Sequence, residues 1–409
     1  MEDTTIFVAR QPIFDRSRRV QGYELLFRRS QENVARVTDG RSATGHVLSA
    51  SYLDIGIQEL TAGMPAYINF SRDLLLDGTP SMMPPGQVVI EILEDVVPDG
   101  EVLESVRSLK KLGYRFALDD FTGSNAFAPL IPLMDIVKVD LLGLDRQRIA
   151  DILRSVRLAA GRSTTLLAEK VETHDQLTDA RLRGFDLFQG YFFSMPEVLR
   201  STRISESKLA HLKLMKTFQD PSIDYRRMEE IVKSDVALTT KLLKYINAAA
   251  YPWAGRVQSV KHALVLLGES NIRRWVSLVA LAEMARDKPY ELAVTSSCRG
   301  RFCELAGGEA EEDHSELDHF LLGALSTLDA MLDVSMELAV EPLPISSELK
   351  AALCGEGNSL HNLLELTTAY ERGDWLRLAP LCRRANLRES ALPTLYREAL
   401  RWSDRVLRN

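Results

Sequence analysis

The sequence is poor in cysteine, has no excess of basic charge and contains no long apolar run. Its four cysteines, Cys298, Cys303, Cys354 and Cys382, all lie in the second half, and no two are spaced as Cys-x-x-Cys. That spacing argues against a disulfide scaffold or a zinc ribbon and predicts free, buried thiols in a reducing compartment. A formal net charge of -7 leaves no basic footprint, so binding to DNA or RNA is not expected. No stretch approaches the roughly 18 apolar residues of a membrane helix, so no membrane association is expected. The acidic start Met1-Glu2-Asp3 lacks the basic region of a secretory signal. The expected location is the cytoplasm. What the chain does have is 409 residues, 45% hydrophobic and 26% charged, enough for two or three globular domains.

The first half alternates strand-like and helix-like segments. Strands are expected over Val20–Phe27, Ala66–Phe70, Val88–Leu93, Tyr114–Leu118, Met134–Asp140, Thr165–Ala168 and Leu187–Gln189. Helical spacing appears over Gly45–Leu60, Val102–Leu112, Arg146–Leu158 and Asp175–Arg183. Such alternation predicts a parallel α/β fold closed into a (β/α)8-like barrel, whose chemistry sits at the carboxyl ends of its strands.

Those ends carry Glu24, Asn69, Glu91 with Glu94 a turn further, Asp119 with Asp120, Lys138 with Asp140, Glu169 with Glu172, and Gln189. Side chains alternate along a strand, so Asp119 and Asp120 can share one wall only if the chain is already turning there. Two carboxylates that close repel each other unless a cation lies between them. Glu91 interrupts an otherwise apolar strand, where an unpaired charge costs several kcal/mol. An oxygen-rich ring of this kind suits Mg²⁺ or Mn²⁺, and a lysine among the acids can stabilise charge on a phosphate. The chemistry points to metal-assisted phosphoester hydrolysis.

The ordered set Glu24-Leu-Leu-Phe-Arg28, Asn69, Glu91-Ile-Leu-Glu94, Asp119-Asp-Phe, Lys138-Val-Asp140, Ala168-Glu-Lys-Val-Glu172 and Gln189-Gly-Tyr-Phe-Phe-Ser-Met-Pro196 resembles the EAL family of cyclic di-GMP phosphodiesterases and their inactive relatives. The opening Val8-Ala-Arg-Gln-Pro-Ile-Phe-Asp15 looks like the branch in which the EAL domain is fused to an HDOD domain. The resemblance implies two metal ions: Glu24, Asn69, Glu91 and Asp119 at one, and Asp119, Asp120 and Glu169 at the other. It also implies that Glu169 is the general base, that Lys138 positions the attacking water, and that Arg28, Gln189, Glu172 and Gln11 contact the nucleotide. Glu94 would support the loop after the two aspartates, and the product would be the linear dinucleotide pGpG. The chain departs from the family pattern at Leu25, in the shortened loop Asp119-Asp-Phe-Thr-Gly123, at Lys170 in place of a glycine, and over residues 29 to 45.

From about residue 201 the sequence reads as helices only. Expected segments are Ser207–Gln219, Tyr225–Ser234, Val236–Ala249 up to a break at Tyr251–Trp253, Val260–Gly268, Ile272–Ala285, Glu291–Leu305, His319–Leu332, Ile345–Leu353, Leu360–Glu371, Trp375–Ala385 and Glu389–Leu407. Val232 to Asn247 and Val260 to Gly268 resemble the HDOD domain, a helical signalling module similar to HD hydrolases without their metal ligands. His262 is expected in the core, whereas Asp313-His314 and Asp318-His319 read as surface or capping groups.

The predicted organisation is an EAL domain over 1–200 and an HDOD domain with a helical extension over 201–409. The foremost reading is a bacterial-type signalling protein whose barrel binds cyclic di-GMP with metal but without turnover and whose HDOD half relays the signal to a protein partner, with homodimerisation open. The alternatives are an active phosphodiesterase and a nucleotide-independent scaffold.

Overall fold

The structure, a computed structural model, describes residues 6–29, 57–161, 163–196, 204–247, 257–310 and 314–408. Most of the helix expected over Gly45–Leu60, most of the segment 29 to 45, the break at Tyr251–Trp253 and Asp313 lie outside the described residues. The chain forms two compact units. One comprises residues through Met195 together with Tyr370–Trp375, the other Pro196–Ala369 and Leu376–Asn409.

The first unit is a closed barrel of eight strands in sequence order: β1 (Ile6–Asp15), β2 (Val20–Arg29), β3 (Ala66–Phe70), β4 (Val88–Ile92), β5 (Arg115–Leu118), β6 (Ile136–Asp140), β7 (Thr165–Glu169) and β8 (Leu187–Gln189). β2 to β8 pair in parallel, as the alternation predicts, but β1 runs antiparallel to both β2 and β8. The reason is the connection. Residues 16–19 are too few for a crossover, which needs a dozen or more, so β1 and β2 can join only as a hairpin. Asp15 Oδ1 ties that turn by accepting from the Ser17 and Arg19 amides at 2.7 and 3.0 Å, and Arg18 takes a positive φ of 61°. The missed strand carries Pro12, which cannot donate to a ladder and masks the pattern.

Round the barrel, register alternates between pairs in step and pairs slipped by two residues. Tyr67 faces Val89, Ala117 faces Ile136, Leu167 faces Leu187 and Ile13 faces Gly22. Between those pairs the partners are Tyr67 with Glu24, Val89 with Arg115, Ile136 with Thr165 and Ile13 with Gln189. Four slips of two residues give the shear of a (β/α)8 barrel. Ile13, Tyr67, Val89, Ala117, Ile136 and Leu167, with Leu187 against them, form one apolar tier across the interior. Gly22 is the β2 member, and any Cβ there would lie 2.7 Å from the Tyr67 ring. The helices Gly100–Lys111, Arg146–Ala160 and His174–Arg183 bury Val102, Val106 and Leu109, then Ile149, Ile152, Leu153 and Val156, then Leu177 and Ala180. Asp99, Asp145 and Thr173 cap their N-termini.

The second unit is helical throughout. A core built on Phe218, Met228, Val232, Leu242, Ile246, Leu264, Ile272 and Trp275 joins its first five helices. Helix Val260–Leu267 buries Val260, Ala263, Leu264 and Leu267, which leaves His262 exposed rather than in the core. His319, expected at the surface, is instead buried at 2% exposure, seated where a Cβ on Gly307 would collide with its ring at 2.4 Å. The single helix expected over His319–Leu332 is two, Glu316–Leu325 and Leu328–Leu332. Helix Tyr290–Glu309 packs so closely on Glu316–Leu325 that a Cβ on Gly323 would sit 2.1 Å from the Arg299 carbonyl oxygen. None of the four cysteines forms a disulfide; three are buried and Cys354 is half-buried.

Candidate metal centre in the barrel

Two residues beyond each member of the apolar tier, in the direction of the barrel mouth, stands a polar side chain: Gln11, Glu24, Asn69, Glu91, Asp119, Lys138, Glu169 and Gln189. A period of two on a strand returns a side chain to the same face, so one strand geometry places the apolar tier and this ring alike. Glu24 therefore lies in the middle of β2 rather than at its end, because β2 continues past the barrel in the hairpin with β1.

The ring is one connected network. Lys138, wholly buried, brings its ammonium to Asp119 at 2.7 Å, to Glu91 and Glu169 at 2.8 Å, and to Glu24 at 3.3 Å. Asn69 Nδ2 donates to Glu24 Oε1 at 3.1 Å, and Gln189 Nε2 donates to Glu24 Oε2 at 2.5 Å and to Gln11 Oε1 at 2.8 Å. Four carboxylates around one ammonium leave uncompensated negative charge, and three N–H donors cannot serve them all. The charge shows in the titration. Burial drives Glu91 well above the ordinary carboxylate range and Asp119 above it. Burial, opposed by Lys138, leaves Glu169 at about 8. Glu24 is the exception: burial pushes it up, but Lys138, Gln189 and Asn69 together bring it below its usual value. Burial alone would lower Lys138, yet Glu169, Glu24, Glu91 and Asp119 hold it well above its usual value.

Oxygen atoms left over in this ring test whether it fits a metal. Asn69 Oδ1, Glu91 Oε2, Glu169 Oε2 and Gln189 Oε1 are buried with no hydrogen-bond donor. Orphaned oxygens on four neighbouring side chains are costly unless a cation takes their lone pairs. Hard divalent ions bind such carboxylate and amide oxygens, so the residues present fit. Asp120 and Glu94 extend the acids outward: with Asp119 they can offer oxygens all within 4.8 Å of one another. Asp120 reaches its position through a left-handed backbone, φ 41°, which is the turn needed for two successive aspartates to share one wall. Glu94, expected only to support the loop, thus stands with the aspartate pair itself.

The other expected residues fall outside the ring. Arg28 lies further along β2, where its Nη1 donates to the Trp375 carbonyl at 2.6 Å within the same unit. Glu172 is exposed past the end of β7, and its amide donates to Gln176 at 2.7 Å. Asp140, unassigned in the sequence, accepts a hydrogen bond from Lys170.

The EAL domain model matches residues 48–196 and the HDOD domain model residues 208–327. The chain is 36% identical over 410 residues to the cyclic di-GMP phosphodiesterase CdgJ of Vibrio cholerae, covering 100% of this chain and 95% of that protein. It is 33% identical to YuxH of Bacillus subtilis, over 98% of this chain and 99% of that one. Among solved structures, the Bacillus subtilis YkuI protein, in complex with cyclic di-GMP and calcium, matches with a TM-score of 0.39 at 18% identity, over 58% of this chain and 72% of that chain. An intact ring on eight strands and end-to-end similarity lead to one assignment: the chain belongs to the EAL family, in the branch that carries an HDOD domain after the barrel.

Proposed function

We propose that the barrel binds cyclic di-GMP with divalent ions and hydrolyses it to pGpG, and that the HDOD half, over about 201–409, reports the barrel's state to a protein partner. The ring supports the proposal: Glu24, Glu91, Asp119 and Glu169 converge on Lys138, Asn69 bonds Glu24, and Asp120 stands beside Asp119. Similarity over the whole length to a protein named a cyclic di-GMP phosphodiesterase supports it. Glu24, Asn69, Glu91 and Asp119 would hold one ion, and Asp119, Asp120 and Glu169 a second, with Glu94 beside the aspartates. Bound there, Mg²⁺ or Mn²⁺ would lower the pKa of water and neutralise phosphate charge.

The chain's own groups do the rest. Glu169 Oε2 is buried without a hydrogen-bond donor, so that oxygen would be open to accept a proton from the attacking water. Lys138 holds the four acids in place, and its positive charge would offset part of the charge on the phosphate. Gln189, anchored on Glu24 and Gln11, and Arg28 would orient the nucleotide.

A second reading, binding without turnover, is favoured by one observation: Lys170 adds a cation immediately after Glu169. Calorimetric titration of cyclic di-GMP into chelator-treated protein with Ca²⁺, then product analysis with Mn²⁺, tests both. Heat in Ca²⁺ and pGpG in Mn²⁺ would support the enzyme, and heat without product would support the effector. Absence of heat in either metal would sink both and leave a scaffold.

A further inference from the structure

Lys170 is a non-glycine residue held in the left-handed region, φ 53°, at the exit of β7. That conformation is costly for a lysine, and residues kept in it cluster where the surrounding structure requires them. Asp120 does the same at the exit of β5, and each follows directly on a buried carboxylate of the ring. The Lys170 ammonium bonds Asp140 Oδ2 at the end of β6, while Asp140 Oδ1 is taken by the Leu142 amide at 2.8 Å. Asp140 pairs in register with Glu169, so the bridge ties two neighbouring strand ends across the mouth. Asp140 ends β6, the strand between β5, whose exit carries Asp120, and β7, whose last residue is Glu169. Asp120 and Glu169, with Asp119, are the acids proposed above for the second, outer ion.

We infer that Lys170 is a resident cation that weakens divalent binding on the Asp120–Glu169 side of the ring and so sets the metal concentration at which the site fills. The inference rests on the proposed metal site and adds to it a residue outside its set of proposed ligands. The tether to Asp140 holds the ammonium near the outer acids without seating it among the ring carboxylates, where Lys138 already stands. Lys138 bears on acids of both ions, whereas Lys170 adds its charge on the outer side alone.

The test is Mn²⁺ binding to the full chain, followed by calorimetry and by loss of the free-Mn²⁺ electron paramagnetic resonance signal, without nucleotide. Lys170→Asn removes the charge and keeps a residue that tolerates positive φ; Lys170→Arg keeps the charge. The expected result is an outer site on the order of tenfold tighter in Lys170→Asn, the scale of one exposed unit charge beside a divalent ion, and near wild type in Lys170→Arg. Equal binding by wild type and Lys170→Asn, or equal tightening in both variants, would overturn the inference. Absence of Mn²⁺ binding in wild type and variants alike would instead overturn the metal site itself. Thermal unfolding of each variant separates a folding defect from a change in affinity, and Lys170→Gly provides a second uncharged variant that relieves the backbone.

Discussion

Replacing Lys138 with methionine keeps the length of the side chain and removes the cation that four carboxylates approach at 2.7 to 3.3 Å. Breaking a buried ion pair from one side costs about 3–5 kcal/mol, because the remaining charge is left uncompensated. For a unit of this size each kcal/mol moves the unfolding midpoint by roughly 2–4 °C, so a loss of about 10 °C is expected without metal. The loss should depend on pH. Glu169 in the wild-type fold already holds its proton up to about 8, against 4.5 for a free side chain. A carboxyl raised in this way contributes stability that is full below about 4.5 and is lost as pH rises through about 8. Without Lys138 the acids must hold more protons to coexist, so the deficit should be larger at pH 8.5 than at pH 6. Saturating Ca²⁺ or Mg²⁺ should restore most of it by supplying the missing positive charge. The assay is thermal unfolding in chelator and in metal at the two pH values. A deficit that is the same at both pH values and unchanged by metal would make Lys138 a packing residue and refute the account.

Substituting Glu24 or Asp119 by alanine should abolish the Ca²⁺-supported heat of cyclic di-GMP binding with little effect on the fold; unchanged heat in both variants would end the metal assignment. Because Glu169 and Glu91 are raised by burial, divalent binding at pH 7 should release protons, seen as a calorimetric enthalpy that changes with the ionisation heat of the buffer, and affinity should rise with pH toward about 8. Gly190→Ala should destabilise the barrel by more than about 4 kcal/mol, since φ is 144° and the added Cβ would lie 2.0 Å from the Val171 carbonyl oxygen; a midpoint within a degree of wild type would contradict that packing. Tyr114→Phe removes a buried hydrogen bond of 2.6 Å to the Met83 carbonyl and should cost about 1–2 kcal/mol in denaturant titrations.

The strands from β2 onward and nearly all the helices were legible because period-two and period-3.6 patterns are set by burial on one face. β1 was not, since Arg10, Gln11 and Pro12 interrupt its pattern and its pairing is decided by the short turn after it. The break after Leu325 was hidden because Leu328, Met331 and Leu332 continue a helical spacing across it. His262 could have been placed correctly: Val260, Ala263, Leu264 and Leu267 already define the buried face without it. The ring was legible as residue types, and the signal that would have fixed its height in the barrel is an apolar residue or glycine two positions behind each polar one. Glu94's place beside the aspartates and the tether between Lys170 and Asp140 were not legible, because both depend on how strand exits turn.

The reversed first strand has a consequence for how the molecule is made. β1 is held between β2 and β8, and Gln11 on it receives its partner from Gln189 on the last strand. During synthesis the hairpin of β1 and β2 leaves the ribosome long before β8 does. Glu24 must therefore wait for Lys138, and then for Gln189, before its charge is answered. Until then the nascent chain carries a half-built barrel with open edges. The seam between β1 and β8 is thus where a growing chain is most exposed to mispairing, and its closure completes the barrel and the acid ring in one event.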